Sequence, residues 1–281
     1  MRVIQAEEIK KAVKKLFLDC NYYIGEDLKS ALYSALEIET TDVSKNVLNQ
    51  IIENNKIAAE EEIPICQDTG MAVLFVEYGD KVIVEGGSFE ESVNDGVREA
   101  YIDGCLRKSV VSDPVFDRKN TLDNTPAVIH TRITKGENIK ITAGAKGFGS
   151  ENMSAIKMLS PSDGLEGIKE FVLNTVKKAG PNPCPPIVVG VGIGGTFEAC
   201  ATLSKKATLL DLDTYNSDCR YRSLEKELCE EINKMGFGPA GLGGKTTALK
   251  VNILTMPTHI AGLPVAVNIC CHAARHKEIV L

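Results

Sequence analysis

The chain is organised around one C-terminal stretch, Thr255-Met-Pro-Thr-His-Ile-Ala-Gly-Leu-Pro-Val-Ala-Val-Asn-Ile-Cys-Cys-His-Ala-Ala-Arg-His276. An apolar, strand-like run lies in its middle, and histidines, two adjacent cysteines and an arginine flank that run. Imidazole, thiolate and guanidinium groups are side chains that bind metals and anionic substrates. Two further cysteine segments, residues 63–70 and 180–186, would have to reach this stretch for all three to form one site.

The composition is that of an ordinary globular protein, with 281 residues, 43% hydrophobic and 25% charged. The net charge of -6, without a block of Lys and Arg, argues against a nucleic-acid or anionic-membrane partner. No apolar run approaches the roughly 20 residues that span a bilayer, and the charged N-terminus is unlike a signal peptide. A cytoplasmic location is therefore expected.

Nine cysteines are many for that compartment, where disulfides are rare, so metal or redox chemistry is favoured. No Cys-x-x-Cys pair is present, and on spacing alone all nine could equally be small buried side chains. Cys66, Cys184 and Cys271 differ from the rest because each lies in a turn-rich junction beside a predicted strand. Three thiolates without a fourth suit an iron-sulfur cluster with one open iron, and zinc is the competing metal.

The predicted fold class is mixed α/β, as one catalytic domain over residues 1–281. Residues 1–62 form the N-terminal helical segment, since their apolar side chains recur at helical spacing and predict three amphipathic helices. Residues 63–281 form a mixed β-sheet flanked by helices. Within this region Ser88, with Glu91 three positions on, predicts the start of a helix.

Other local predictions follow from apolar patterning. Continuous apolar runs at residues 71–77 and 187–193 predict buried strands. A turn at residues 78–81 predicts a hairpin with the run that follows it, and alternation predicts a second hairpin of residues 127–133 with 138–142. Residues 152–159 predict a short helix after a glycine-rich turn at residues 144–151.

Seven segments together resemble the class I, iron-sulfur fumarate hydratases and the related L-tartrate dehydratases, in order from about residue 10 to the end of the chain. They are Ile65-Cys-Gln-Asp-Thr-Gly70, Ala145-Lys-Gly-Phe-Gly-Ser-Glu-Asn152, Cys184-Pro-Pro186, Gly194-Gly-Thr196, Gly241-Leu-Gly-Gly-Lys-Thr-Thr247, the stretch around His259, and Cys271-His-Ala-Ala-Arg275. No single segment would be specific, whereas their combination is.

The resemblance implies a 4Fe-4S cluster bound by three cysteines and with one open iron. The ligands are Cys66, Cys184 and Cys271, and the family pattern Cys-x-Ala-x-Arg fits Cys271 but not Cys270. The remaining cysteines are expected to be non-ligands. The implied substrate contacts are Gln67, Asp68, Arg107, Gly149 and Arg275, and Asp68 and His259 are the implied catalytic residues. Taken singly, Asp68, Arg107 and His259 could equally be a turn residue, a solvated helix end and a core imidazole.

The resemblance also implies a partner. Single-chain members of the family have a further C-terminal domain with arginines, a lysine and a catalytic threonine, and no residue after Leu281 supplies them. The expected protein is the alpha subunit of a hetero-oligomer with a beta subunit, acting on a small dicarboxylate in the tricarboxylic acid cycle by hydrating fumarate reversibly to L-malate. The alternatives are an L-tartrate dehydratase alpha subunit, and a zinc-stabilised or redox-sensing subunit without catalysis.

Overall fold

Helices and strands alternate along most of the chain, which a computed structural model describes over all 281 residues. In chain order the elements are β1 (Arg2–Gln5), α1 (Ala6–Tyr22), α2 (Glu26–Ile38), α3 (Asp42–Glu61), β2 (Met71–Gly79), β3 (Val82–Glu85), α4 (Phe89–Asp103), β4 (Val128–Thr134), β5 (Ile139–Lys146), α5 (Phe148–Glu151), β6 (Ala155–Leu159), α6 (Gly164–Ala179), β7 (Ile187–Gly194), α7 (Phe197–Ala207), α8 (Cys219–Lys234), β8 (Ala248–Met256), β9 (Leu263–Cys270) and β10 (His276–Val280). The mixed α/β class is as predicted.

The predicted helices form where apolar residues recur at helical spacing. The three helices of the N-terminal segment are α1, α2 and α3, and only the short strand β1 is added to the prediction. Helix α4 begins after Ser88, whose side-chain oxygen accepts the backbone N–H of Glu91 at 3.2 Å. This bond satisfies one of the free N–H groups of the first turn, as the sequence predicts. None of the helices combines the length and the apolar character that a membrane span requires.

The chain divides into two compact units. The first unit comprises Met1–Ile24, Asn54–Phe148 and Arg275–Leu281, and the second comprises Gly25–Glu53 and Gly149–Ala274. Both units are therefore assembled from segments that are far apart in sequence. The single catalytic domain over residues 1–281 stays a prediction.

A four-stranded sheet in the order β10-β5-β2-β4 forms the first unit. Strand β2 runs antiparallel to β5 and parallel to β4, and β1 pairs in parallel with β3 beside them. Alternate side chains of the sheet, such as Leu74 and Ile141, join Phe17 of α1 and Tyr101 of α4 in the core. The helices α1 and α4 thus cover one face of this sheet.

The second unit has a four-stranded sheet in the order β6-β9-β7-β8 with helices on both faces. Valines of β7 pack with apolar residues of α6 and α8 on one face. On the other face, Gly190 and Gly192 of β7 let α7 approach closely. A Cβ atom on Gly192 would lie 2.1 Å from the carbonyl oxygen of Cys200 in α7.

Three local predictions are wrong. The sequence predicts hairpins of β2 with β3 and of β4 with β5, but β3 pairs with β1, while β4 and β5 lie on opposite sides of β2. Alternating apolar residues identify a strand, whereas its neighbour depends on segments far away in the chain. Residues 152–159 contain strand β6, which is antiparallel to β9. So short a segment does not distinguish a helical from a strand period.

Candidate functional site

Cys66 lies in the loop between α3 and β2 of the first unit, where both Cys66 and Gln67 are exposed. The preceding residue, Ile65, is buried, and both its N–H group and its carbonyl group form hydrogen bonds. Its N–H donates to the carbonyl oxygen of Asn21 at 2.9 Å, and its carbonyl oxygen accepts Nδ2 of Asn54 at 2.9 Å. The hydrogen bonds of Ile65 therefore fix the start of the loop, and the Cys66 thiol and the Gln67 amide that follow are exposed.

The carboxylate of Asp68 connects this loop to the glycine-rich turn. Oδ1 accepts the N–H of Gly70 at 3.0 Å, and Oδ2 accepts the N–H of Phe148 at 2.8 Å. Gly147 lies between two charged groups, since a Cβ there would be 3.1 Å from Oδ2 of Asp68 and 3.3 Å from Nη2 of Arg275. The missing side chain at Gly147 thus leaves the carboxylate and the guanidinium close to each other.

Arg275 is buried, with 4% of its surface exposed. Nη1 donates to Oδ1 of Asn21 at 3.1 Å, and the carbonyl oxygen of Arg275 accepts the N–H of Ala145 at 3.1 Å. A guanidinium keeps its positive charge even when buried. Burial raises the pKa of the nearby Tyr101 hydroxyl, and the charge of Arg275 opposes that rise.

Arg107 is exposed on the loop after α4, and hydrogen bonds connect this loop to the one that carries Cys66. Oγ1 of Thr69 donates to the carbonyl oxygen of Arg107 at 3.0 Å. The hydroxyl of Tyr101 lies 2.8 Å and 3.0 Å from the carbonyl oxygens of Thr69 and Gly70, and Nδ2 of Asn124 donates to the latter at 3.1 Å. The first unit thus brings together five predicted site residues, Cys66, Gln67, Asp68, Arg107 and Arg275.

In the second unit, Cys184 and Cys271 come together at one edge of the sheet. Strands β7 and β9 are antiparallel, so the start of β7 lies beside the end of β9. Cys184 precedes β7, Cys271 follows β9, and the N–H of His272 donates to the carbonyl oxygen of Cys184 at 3.3 Å. Cys184 is exposed and Cys271 half-buried, whereas Cys270, at the end of β9, is buried.

Gly149 lies next to the turn that carries Cys184. A Cβ on Gly149 would be 3.9 Å from the carbonyl oxygen of Asn182, and the residue is exposed. Cys184 itself has a φ of 55°, a left-handed conformation that costs a non-glycine residue about 1 kcal/mol. The second unit therefore brings Gly149, Cys184 and Cys271 together, with Cys184 held in a strained turn.

His259 does not join this group. It is exposed in the loop between β8 and β9, where its Nδ1 accepts the N–H of Ala261 at 3.2 Å. Cys271 follows the other end of β9, and the eight residues of that strand span about 25 Å. Proximity in sequence is misleading here because an extended strand separates its two ends.

The remaining cysteines differ in their fitness as metal ligands, because the thiolate is the form that binds metals. Burial raises the pKa of Cys20 to about 12 and that of Cys229 to about 11, and it also raises the pKa of Cys200. These thiols stay protonated at neutral pH. Apart from Cys229, the exposed or half-buried cysteines are Cys66, Cys105, Cys184, Cys219 and Cys271. Their thiols are the donors that an iron-sulfur cluster requires.

Three residues that hold the site in the first unit are absent from the prediction. Asn21 binds Arg275, and Tyr101 and Asn124 hold the Cys66 loop; Oδ1 of Asn124 also accepts the N–H of Ser109 at 2.7 Å. Tyr101 reads as an ordinary apolar position of α4, and Asn124 lies in a polar loop. No local pattern in the sequence distinguishes them.

The fold and the site define an α/β protein with accessible thiols at strand ends and with arginine and carboxylate groups beside one of them. The sequence profile described as "Fumarate hydratase (Fumerase)" matches residues 10–280. The chain belongs to this family, whose members are hydro-lyases.

Curated relatives agree with that assignment. The "Putative L(+)-tartrate dehydratase subunit alpha" of Methanocaldococcus jannaschii is 45% identical over 272 residues, which cover 95% of each chain. The "L(+)-tartrate dehydratase subunit alpha" of Escherichia coli strain K12 is 31% identical over 260 residues, 91% of this chain and 85% of the relative. The protein of that name from Escherichia coli strain UTI89 is 32% identical over 258 residues, 90% of this chain and 84% of the relative.

Proposed function

We propose that this chain is the alpha subunit of a two-subunit iron-sulfur hydro-lyase that hydrates fumarate reversibly to L-malate. The family match over residues 10–280 carries the proposal. The exposed positions of Cys66 and Cys184 and the half-buried position of Cys271 support it, since each residue lies in a loop at the end of an element. The proposal places the enzyme in the cytoplasm with a beta subunit as its partner, and the names of the relatives support the partner.

The proposed cofactor is a 4Fe-4S cluster held by Cys66, Cys184 and Cys271. When bound, the cluster would supply Lewis-acid chemistry toward the hydroxyl group of a 2-hydroxy dicarboxylate. The half-buried setting of Cys271, against the buried Cys270, supports Cys271 as the ligand of that pair.

The side chains of this chain would bind and orient the substrate. Arg275 is fixed by Asn21, and a fixed guanidinium can bind a carboxylate through two N–H groups. Arg107 and Gln67 are exposed on the neighbouring loops and are proposed to bind carboxylates too, as is the backbone N–H of Gly149. A positioned electrostatic contact of this kind contributes about 3 kcal/mol to transition-state stabilisation.

Hydration adds hydroxide to one olefinic carbon and a proton to the other, and the reverse reaction removes that proton. Asp68 is the proposed proton-handling residue of this chain, with its carboxylate oriented by the N–H groups of Gly70 and Phe148. A base from the beta subunit is proposed to complete the reaction. His259 has no role in this proposed mechanism because β9 separates its loop from Cys271.

A second candidate substrate is L(+)-tartrate, which the names of the relatives favour. Tartrate and malate are both four-carbon 2-hydroxy dicarboxylates that lose water next to a carboxylate. The groups proposed to bind carboxylates would serve either substrate.

The proposal is tested with the full chain, prepared without oxygen, both alone and co-expressed with a candidate beta subunit. Cys66→Ser is compared with Cys105→Ser, a second exposed thiol of the first unit. Iron content, visible absorbance and consumption of fumarate, L-malate and L(+)-tartrate are measured. We expect iron, a brown colour and fumarate turnover in the wild type and in Cys105→Ser, and loss of all three in Cys66→Ser.

Other outcomes contradict the proposal at different points. If tartrate alone is turned over, tartrate replaces fumarate as the proposed substrate. If the wild type contains zinc or no metal, the proposed iron-sulfur cluster is wrong. Full iron content and activity in Cys66→Ser would remove Cys66 from the ligands.

A further inference from the structure

Glu39 is a buried acidic residue that follows the C-terminus of α2 in the second unit, with 2% of its surface exposed. Its carboxylate accepts backbone N–H groups from a distant loop. The N–H of Lys245 lies 3.0 Å from both carboxylate oxygens, and the N–H of Thr246 lies 2.7 Å from Oε1. Two successive N–H groups of the backbone therefore face one buried carboxylate.

These bonds stabilise the negative charge where water cannot. Burial alone raises the pKa of Glu39, but hydrogen bonding by the N–H groups of Lys245 and Thr246, together with the hydroxyl groups of Thr246 and Ser44, outweighs it, so the pKa lies below the usual range of Glu. Hydrogen bonds to a charged group are stronger than those between neutral groups. Glu39 is therefore ionised at neutral pH and bound firmly to residues 245–246.

The loop that contains these N–H groups, residues 236–247, has an unusual backbone. Positive φ angles occur at Gly236, Gly238, Ala240, Gly241, Gly243 and Gly244. At Gly244 a Cβ would lie 2.8 Å from Oε2 of Glu39, so glycine is needed for the approach of the carboxylate. Glycine-rich loops with free N–H groups commonly bind phosphate. Here Glu39 occupies the N–H groups of Lys245 and Thr246 instead.

The other side of the 236–247 loop contacts the turn that carries Cys184. The N–H of Ala240 donates to the carbonyl oxygen of Pro185 at 2.8 Å. A Cβ on Gly241 would lie 2.2 Å from Cβ of Pro181, which shows how closely the two segments pack. Cys184 lies between Pro181 and Pro185 in its strained conformation. The loop thus supports the turn on both sides of the cysteine.

We propose that Glu39 is a positioning residue, which fixes the 236–247 loop and through it the orientation of the Cys184 thiol. The inference rests on the proposed function, because it takes Cys184 as a ligand of the cluster. The carboxylate touches neither the thiol nor the substrate. Glu39 acts through the loop: it binds residues 245–246, and the same loop contacts Pro185 through Ala240 and Pro181 through Gly241.

The test uses the full chain without metal, in the wild type, Glu39→Gln and Glu39→Asp. Glu37→Gln is the matched control, since Glu37 is an exposed glutamate in the last turn of α2, two residues before Glu39. Amide hydrogen exchange is followed in residues 238–247 and 181–186, and alkylation of Cys184 by iodoacetamide is compared with that of Cys66. We expect exchange in both segments of Glu39→Gln to be about tenfold faster, and Cys184 alkylation to change at least about threefold, since charge-assisted bonds are lost.

The controls and the conservative variant decide the outcome. Glu37→Gln and the alkylation of Cys66 should match the wild type, and Glu39→Asp, which keeps the charge, should lie between wild type and Glu39→Gln. Faster exchange confined to residues 244–246, with Cys184 reactivity unchanged, would reduce Glu39 to a local loop anchor and overturn the inference. If Glu39→Gln does not fold, Glu39→Asp with unchanged Cys184 reactivity overturns it in the same way.

Reconstitution with iron and sulfide separates this inference from the proposed function. Glu39→Gln should load iron but lose it to a chelator faster than the wild type, and Cys184→Ser should not load iron stably. If Cys184→Ser loads and keeps iron like the wild type, Cys184 is not a ligand and the proposed function fails there. The metal-free measurements on Glu39 would still decide whether it positions the turn.

Discussion

A single buried hydroxyl connects helix α4 to the loop that carries Cys66. Tyr101 is fully buried, and its oxygen lies within hydrogen-bond distance of the carbonyl oxygens of Thr69 and Gly70. Burial raises the pKa of this hydroxyl far above its usual value, so it keeps its proton and acts only as a donor to these acceptors. This O–H group in the core therefore contributes to the position of the loop, together with the side chain of Asn124.

Tyr101→Phe tests this dependence, because it removes the oxygen and keeps the ring. We expect the free energy of unfolding to fall by about 1–2 kcal/mol, since buried carbonyl groups lose a donor. The control is Tyr33→Phe, at a tyrosine that is 47% exposed, where a change within about 0.5 kcal/mol is expected. Urea denaturation of the two variants gives the comparison. Equal stability of the two would mean that Tyr101 contributes only its ring.

The loop positions of the candidate site residues could be predicted from the sequence, but the residues that hold those loops could not. Cys66, Gln67 and Asp68 lie in one recognisable motif, and the structure places all three in one loop. Asn124 contacts that loop through Gly70, which is far from it in sequence. A hydrogen bond between distant segments follows from the completed fold, so the local sequence contains no sign of it.

At the scale of elements, the spacing of apolar residues predicts whether a segment is a helix or a strand better than it predicts which strands pair. The three N-terminal helices and the strands β2 and β7 follow from apolar spacing. Strand pairings do not, because a neighbour such as β10 is supplied by the last residues of the chain. The order β10-β5-β2-β4 places strands side by side that are far apart in the sequence, and patterns for hairpins between consecutive strands do not predict such pairs.

The contact of α7 with β7 depends on glycine in the strand, which gives a prediction for this pair of elements. Gly192→Ala would place a Cβ 2.1 Å from the carbonyl oxygen of Cys200 and 2.6 Å from the backbone nitrogen of Ser204. Backbone atoms cannot move aside as a side chain can, so we expect a loss of at least about 2 kcal/mol of stability.

Gly262→Ala is the control for this prediction, because a Cβ there would meet its nearest neighbour only at 3.9 Å. Its unfolding midpoint in urea should equal that of the wild type. A Gly192→Ala variant as stable as Gly262→Ala would show that α7 can shift away from β7 without cost.

At the scale of the whole molecule, a motif that is continuous in sequence is divided between the two units. Cys271 belongs to the second unit, at the edge of its sheet beside Cys184, and Arg275 belongs to the first unit, where β10 follows it. The sequence suggests that both act together because only three residues separate them. The C-terminal stretch therefore contributes residues to both units, and the boundary between them falls after Ala274.

The nine cysteines differ in their exposure, so chemical labelling can identify the ligands among them. In the metal-free chain at pH 8, iodoacetamide should label the exposed Cys66, Cys105, Cys184 and Cys219. The buried Cys20, Cys200 and Cys270 should stay unlabelled, as should Cys229, whose pKa is raised to about 11. The half-buried Cys271 should react more slowly than the exposed thiols. Denatured protein, in which all nine react, provides the reference for each peptide.

Loading with iron and sulfide should then separate ligands from other accessible thiols. Labelling of Cys66, Cys184 and Cys271 should slow by about tenfold or more, because an iron-bound thiolate is no longer a free nucleophile. Cys105 and Cys219 are accessible as well, and their labelling should not change. Protection of Cys105 in place of Cys66 would move the proposed ligand to another loop of the first unit. Protection of none would mean that the bound iron is held elsewhere, and the accessible thiols would then have no part in binding the cofactor.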